Sequence, residues 1–210
     1  AVISIILFWN GIQNNTYGNF KIFEWVSSGN FVANWSINID PLSSVMLVVV
    51  TFVSALVHIY SIGYMSHDPH KPRFMSYLSL FTFSMLVLVV SDNFLQLFFG
   101  WEGGGLCSYL LIGFWYKKES ANNAAIKAFI VNRVGDFGLA IGIFLIFFYF
   151  RTINFQEVFD LAPQFIEKKL VFFGFETTLI TLICLFLFIG AMGKSAQFLL
   201  HTWLPDAMEG

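Results

Sequence analysis

Long apolar runs are the feature of this sequence that most constrains its fold. A helix needs about 20 mostly apolar residues to cross a hydrocarbon core of about 30 Å. Hydrophobicity is continuous along the runs instead of alternating, which favours helices over the shorter strands of a membrane barrel. The sequence therefore predicts an all-α fold, a polytopic membrane helix bundle with about five full spans: Pro41 to Tyr64, Phe74 to Val90, Phe94 to Tyr116, Ala124 to Phe150, and Thr177 to about Leu200.

Composition agrees with a membrane location and excludes other classes of protein. The chain is 57% hydrophobic and 11% charged, whereas about a quarter of the residues in soluble domains are charged. A net charge of -2 excludes the basic surface of a nucleic-acid-binding protein. Cys107 and Cys184 each lie inside an apolar run, so we interpret both as packing residues and expect no disulfide framework. The predicted surroundings are a lipid bilayer, with no nucleic acid.

Polar segments divide the chain without creating a second domain. We expect residues 1–210 to form a single membrane domain, in which Ala1 to Trp9 is the end of a truncated first helix and the whole is the N-terminal portion of a longer subunit. Asp40 followed by Pro41 is a helix start signal. A short interfacial helix ending at Pro163 is predicted within "NFQEVFDLAPQF". Residues 10–40 and residues 151–176 are predicted to be extramembrane loops.

Two charged residues lie deep in the predicted spans with no opposite charge nearby on the same helix. Glu102 follows Phe94 by eight residues, about 12 Å along a helix, and Lys194 lies deep in the last span. A charge at bilayer depth is costly and usually faces the interior of a bundle. An acid and an amine that face each other there titrate as a unit. We therefore predict that Glu102 and Lys194 form a coupled pair on a proton pathway.

Three further charges share the span Ala124 to Phe150. Arg133 and Asp136 are three residues apart, so the sequence predicts an internal ion pair on one helix face. Lys127 is nine residues from Asp136 and lies on nearly the opposite face, where its side chain can extend to the membrane interface. Lys127 and Arg133 are therefore predicted to be supporting charges.

The glycines and the end of the chain add two predictions. The stretch "GWEGGGLCSY" does not follow a strand, so close helix packing is a better interpretation than a phosphate-binding loop. In "GAMGKSAQFLLHTWLP", polar residues interrupt the last apolar run. This pattern is typical of an interrupted helix that lines a hydrated cavity.

Four long motifs resemble the subunit-five family of respiratory complex I, the NADH:ubiquinone oxidoreductase, in its mitochondrial form. The motifs are "SALVHIYSIGYMSHDPHKPRFM", "SDNFLQLFFGWEGGGLCSYLLIGFW", "AAIKAFIVNRVGDFG" and "GKSAQFLLHTWLPDAMEG". The resemblance covers about Asp40 to Gly210 in order. It implies a member of the antiporter-like subunits that translocate protons while other subunits oxidise NADH and reduce quinone.

The resemblance also implies roles for particular residues. Glu102, Asp136 and Lys194 fall on the family's functional carboxylate, acid and lysine, and His201 falls in the polar region that follows. These four are the predicted proton pathway. No cofactor is expected in this chain; NAD, FMN, iron–sulfur clusters and ubiquinone are implied in other subunits of the complex. The expected partners are the other membrane-arm subunits, and the expected location is the mitochondrial inner membrane, as a multi-pass protein.

Two alternatives remain open at the level of sequence. A subunit of a stand-alone multisubunit cation/proton antiporter would have the same buried charges, and sodium-dependent exchange without an NADH dehydrogenase would favour it. A purely structural membrane subunit would use its charges only to hold a larger complex together. Unchanged transport after neutral replacement of Glu102 would favour the structural alternative.

Overall fold

The computed structural model describes residues 1–29, 31–172 and 174–210 and forms the predicted membrane helix bundle. The described helices are α1 Val2–Asn14, α2 Pro41–Tyr64, α3 Lys71–Val89, α4 Phe94–Ile112, α5 Glu119–Phe150, α6 Phe155–Leu161 and α7 Leu179–Lys194. Two antiparallel hairpins lie between helices: β1 Gly18–Ser28 with β2 Phe31–Ile39, and β3 Lys169–Phe172 with β4 Phe175–Thr178. Short 3-10 helices lie at Ala162–Phe165, directly after α6, and at Asp206–Glu209.

The apolar runs form helices close to the predicted bounds. Among the described residues, α2, α3 and α5 are long and apolar enough to cross a membrane. Helix α4 is also 19 residues long, but Gln96 and Glu102 lower its mean hydropathy. Helix α7 is shorter, with 16 residues, and it ends at Lys194 instead of near Leu200. The interruption predicted in the last span therefore begins directly after Lys194.

The start of α2 confirms the helix signal at Asp40. The Asp40 carboxylate accepts a hydrogen bond from the Ser43 amide at 2.6 Å, and the Asp40 amide donates to Ser43 Oγ at 2.7 Å. This capping box satisfies two donors that a helix end would otherwise leave free. Pro41 stands at the first helical position, where its missing N–H is not needed.

The predicted loop at residues 10–40 has regular structure. Helix α1 continues to Asn14, and β1 and β2 pair as a hairpin from Gly18↔Ile39 to Ser28↔Phe31. The strands are rich in aromatic and β-branched residues, which favour pleated structure over an irregular loop. Residues 151–176 are likewise partly ordered: they contain the predicted short helix, α6, which ends at Leu161, and strand β3.

Close helix contacts bring the last helix onto the bundle. Helix α5 packs most extensively against α7, and α4 packs against both α3 and α5. At the α5–α7 crossing, a Cβ at position 135 would lie 3.0 Å from Gly193 Cα. Small residues at such a crossing let two backbones approach closely. The glycines therefore place the end of α7, with Lys194, against α5.

Candidate functional site

Trp101 and Asp136 connect α4 to α5 inside the bundle. The Trp101 indole Nε1 donates a hydrogen bond to Asp136 Oδ1 at 2.7 Å. Asp136 is only 4% exposed, and a buried carboxylate needs such a polar partner. The acid predicted for the proton pathway is therefore held by α4, at the residue directly before Glu102.

Glu102 forms its ion pair with Arg133. Arg133 Nη1 on α5 contacts Glu102 Oε2 on α4, and the Arg133 guanidinium also lies over the Phe129 ring at 4.6 Å. Glu102 therefore finds a cationic partner across the bundle, as its position without a local partner predicted. That partner is Arg133 and not Lys194.

The predicted internal pair of Arg133 and Asp136 is not formed among the described residues. Both side chains do lie near the same neighbour, α4, as expected for residues three apart on one helix. However, the long Arg133 side chain reaches Glu102, while Asp136 accepts from Trp101. Spacing along one helix placed these groups on a common face but did not determine their partners.

Lys194 ends α7 with its ammonium inside the protein. Its Nζ is buried and has no hydrogen-bond partner among the described residues. It lies 6.0 Å from the centre of the Trp101 ring. It also lies 2.5 Å from where a Cβ would stand at position 105. The ammonium therefore occupies space that only glycine at position 105 leaves open.

The ammonium lies close to both acids without an ion pair to either one. Position 105 is three residues from Glu102 on α4, so Lys194 Nζ lies about one helical turn from that residue. Both acids attract the Lys194 ammonium, and the attraction by Asp136 is stronger than the attraction by Glu102. The structure thus brings together Glu102, Asp136 and Lys194, with Arg133 as the fourth charge. The direct Glu102–Lys194 pair predicted from the sequence is replaced by this four-charge cluster.

Lys127 and His201 lie outside the four-charge cluster. Lys127 Nζ donates to Asp206 Oδ2 at 2.7 Å, and both side chains are 44% exposed. Sequence reasoning missed Asp206, although Lys127 has no acid within four residues on its own helix and therefore needed a distant partner. His201 lies in the irregular segment after α7 with an exposed side chain. Its predicted place on the pathway stays a prediction.

The four-charge cluster is suited to binding and transferring protons. Glu102, Asp136 and Lys194 can each exist with or without a proton, whereas the Arg133 guanidinium keeps its charge in proteins. Three exchangeable groups thus lie beside one fixed positive charge. Within the described ranges, no three His, Cys, Asp or Glu side chains come together to hold a metal ion.

The chain matches two protein families. Residues 91–210, more than half of the chain, match the transmembrane family described as NADH:quinone oxidoreductase/Mrp antiporter. The chain belongs to this family. All the site residues named above lie inside the matched part. Residues 25–75 match a second family, the N-terminus of NADH-ubiquinone oxidoreductase (complex I) chain 5.

Relatives of this antiporter-type chain confirm the resemblance seen in the motifs. NADH-quinone oxidoreductase subunit L of Rickettsia bellii is 56% identical over 210 residues, which is 100% of this chain and 33% of the relative. NADH-ubiquinone oxidoreductase chain 5 of Chondrus crispus is 57% identical over 211 residues, which is 100% of this chain and 32% of the relative. The chain therefore spans about a third of the length of these relatives.

Solved structures agree with the antiporter-type fold. The Mrp complex from Dietzia contains a chain that matches with a TM-score of 0.72 at 23% identity. The match covers 100% of this chain and 22% of that one. At this identity the likeness concerns the fold alone.

Proposed function

We propose that this chain is part of a proton-translocating membrane subunit of NADH:quinone oxidoreductase, in which NADH oxidation and quinone reduction drive proton pumping. Relatives with that name match the whole length of the chain. The observation that carries the proposal is the Lys194 ammonium, which is buried without a hydrogen-bond partner among the described residues and lies beside Asp136 and Glu102. A buried charge without a direct partner is costly in a membrane and marks a functional site.

The proposed mechanism depends on the distance between Lys194 and the two acids. Trp101 donates to one oxygen of Asp136, and Arg133 contacts one oxygen of Glu102, so each acid keeps a second oxygen that the Lys194 ammonium can approach. Approach of a carboxylate stabilises the proton on Lys194, and separation makes its release easier. A displacement of α7 by a fraction of a helical turn would therefore load or unload the lysine. Arg133 supplies the opposing positive charge.

In this proposal the electron-transfer chemistry belongs to other subunits of the complex. NAD, FMN, iron–sulfur clusters and ubiquinone would bind there, and the side chains described above would move only protons.

The exposed charges support a partner in the membrane. The Arg133 side chain is 44% exposed, and it lies fourteen residues into a helix of 32 residues. A charge at such depth is seldom left facing lipid. We therefore infer that this face packs against other membrane-arm subunits.

We also propose that the complex resides in the mitochondrial inner membrane, because the sequence motifs resemble the mitochondrial form of the family. Localisation of a tagged chain tests this location, and residence in another membrane would contradict it.

Lys194→Ala is the decisive substitution. It removes the exchangeable ammonium, so proton pumping per NADH oxidised is expected to fall sharply, because no other group at this place can take up and release the proton. Pumping is measured in liposomes that contain the assembly purified through a tag on this chain. Lys169→Ala is the matched control, because Lys169 forms an exposed pair with Glu176 on the second hairpin. Full assembly with undiminished pumping in Lys194→Ala would contradict the proposal.

A second candidate function is a stand-alone cation/proton antiporter subunit. The family and the Dietzia structure both include Mrp proteins, which favours this candidate. It predicts sodium-dependent proton exchange by the purified assembly in the absence of NADH, whereas the complex I proposal predicts transport only during NADH oxidation.

A further inference from the structure

The segment directly after Lys194 has an unusual backbone. Ala196 and Leu199 have positive φ values of 49° and 73°, a conformation that places Cβ of an L-residue close to its own carbonyl oxygen. Non-glycine residues keep such a conformation only where their surroundings hold it. Contacts from elsewhere in the bundle must therefore fix the segment from Ser195 to Pro205.

Trp203 ties this segment back to the end of α7. Its indole Nε1 donates to the backbone oxygen of Gly193 at 3.1 Å. The Gly193 oxygen also accepts from the Ala196 amide at 3.3 Å, so the Trp203 indole adds a contact from a more distant residue to the carbonyl directly before Lys194. The position of the Trp203 ring is thereby coupled to the position of the lysine.

Trp203 in turn packs against residues of α5 and of the end of α4. Trp203 and Ala207 pack against a buried cluster made of small alanines and one isoleucine. The alanine side chains leave room for the bulky ring and for the short 3-10 turn at Asp206–Glu209. The residues of this cluster are Ala124, Ala125 and Ala128 on α5 and Ile112 on α4.

One ion pair fixes the turn onto that cluster. Lys127, which lies beside the alanines on α5, donates to Asp206 at the start of the turn at 2.7 Å. A second polar contact, from Ser120 Oγ to Glu209 Oε2 at 3.0 Å, lies further along the same helix. The Lys127–Asp206 contact joins residues 79 positions apart in the chain. The four-charge cluster described above does not use either residue.

We propose that the Lys127–Asp206 ion pair is a latch that positions Lys194. The latch acts through a continuous series of contacts, from Asp206 through the packed Trp203 ring to the Gly193 carbonyl and the last turn of α7. When the latch is closed, the Lys194 ammonium stays against Gly105. When it opens, Trp203 and the end of α7 are free to shift relative to the two acids. Lys127, Asp206 and Trp203 are thus positioning residues, and the assignment rests on the proposed role of Lys194 in proton transfer.

Charge reversal across the pair tests the latch. We expect Lys127→Ala and Asp206→Ala each to lower proton pumping per NADH oxidised by up to about fivefold, the upper end of what an exposed ion pair contributes, and to shift the pH profile of pumping. The double variant Lys127→Asp with Asp206→Lys restores the opposite charges and should restore both properties. Lys169→Ala, which breaks the exposed pair with Glu176, should match the wild type.

Asp206→Asn keeps the size of the side chain and removes only its charge, so it tests the latch even if the alanine variants fail to assemble. It is expected to show the same loss of pumping. Amide hydrogen exchange provides a readout independent of transport, and the amides of Gly193, Ser195 and Ala196 should exchange several times faster in Asp206→Asn.

Three outcomes would overturn the latch. The first is that Asp206→Asn pumps protons at the wild-type level with the wild-type pH profile. The second is that the double variant with reversed charges pumps no more than the single alanine variants. The third is that amide hydrogen exchange at the end of α7 is unchanged in Asp206→Asn. If the wild-type assembly does not pump at all, the proposed function fails, and the hydrogen-exchange result still decides whether the latch holds α7.

Discussion

At the scale of single residues, Gly105 determines where the Lys194 ammonium can lie. It is the last of three consecutive glycines, Gly103 to Gly105, but the three differ in their surroundings. A Cβ at position 104 would lie 3.8 Å from Met85 Sδ, in ordinary contact, whereas a Cβ at position 105 would lie 2.5 Å from Lys194 Nζ. The adjacent glycine therefore provides a matched control for the substitution at Gly105.

We expect Gly105→Ala to reduce transport without lowering stability. The lysine tip is flexible and can move aside, and alanine in a helix is favoured over glycine by about 0.5–1 kcal/mol. The ammonium would nevertheless be displaced from its place near the two acids, so proton pumping per NADH should fall severalfold at unchanged or raised thermal stability. Gly104→Ala should leave pumping at the wild-type level. Equal pumping in the two variants would show that the position of the ammonium does not matter.

At the scale of elements, the sequence predicts the spans well because each span carries its own signal. The continuous apolar runs and the Asp40–Pro41 start depend on residues near one another in the chain, and α2 begins and ends where predicted. The hairpin β1–β2 was missed, although its strands have 11 and 9 residues, because the polar residues between the aromatic ones led to the prediction of a loop. The end of α7 at Lys194 was predicted only approximately, since Trp203 and Asp206 fix it from outside the helix.

The partners of the charged residues were harder to predict from the sequence than the spans. Depth in the apolar runs was enough to select Glu102 and Lys194 as residues that face each other, and the family resemblance added Asp136. Their partners depend on which helices cross and at what height, which one sequence does not contain. Arg133 was therefore assigned to Asp136 instead of Glu102, and Asp206 was not assigned to Lys127.

The crossing of α5 and α7 leads to a prediction about stability. A Cβ at position 135 would meet backbone atoms, at 3.0 Å from Gly193 Cα and 3.2 Å from the Ile189 oxygen. Backbone cannot move aside as a side-chain tip can, so Gly135→Ala is expected to lower the free energy of unfolding by about 1–3 kcal/mol, the usual effect of overpacking. Thermal unfolding in detergent measures this change. Gly63→Ala is the control, because nothing lies within 4 Å of its added Cβ; equal melting temperatures would contradict the close crossing.

At the scale of the whole molecule, a small buried polar network attaches the hairpin β1–β2 to the membrane helices. Asn93 Nδ2 donates to the Asn34 oxygen at 2.8 Å, and Asn19 Nδ2 donates to Asp92 Oδ2 at 3.0 Å. These contacts gather at the short connection between α3 and α4. They hold the hairpin at the end of α4 from which the helix runs towards Trp101 and Glu102.

Gln96 is the central residue of this attachment. Its side chain is 0% exposed and pairs with Ser36 as a neighbouring strand would: Oε1 accepts from the Ser36 amide at 3.0 Å, and Nε2 donates to the Ser36 oxygen at 2.8 Å. Gln96→Leu keeps most of the volume but leaves a buried N–H and a buried carbonyl without partners. Each such group costs about 1–3 kcal/mol.

We therefore expect the hairpin to detach from α4 in Gln96→Leu while the helices stay folded. Proteolysis between Gly18 and Ile39 should become much faster, with little change in helix content by circular dichroism. Gln156→Leu is the matched control, since the Gln156 side chain is exposed and, among the described residues, hydrogen-bonds only to Asp160 on its own helix. Cleavage of Gln96→Leu at the wild-type rate would mean that packing alone, through contacts such as Trp35 against Phe99, is sufficient to hold the hairpin on the bundle.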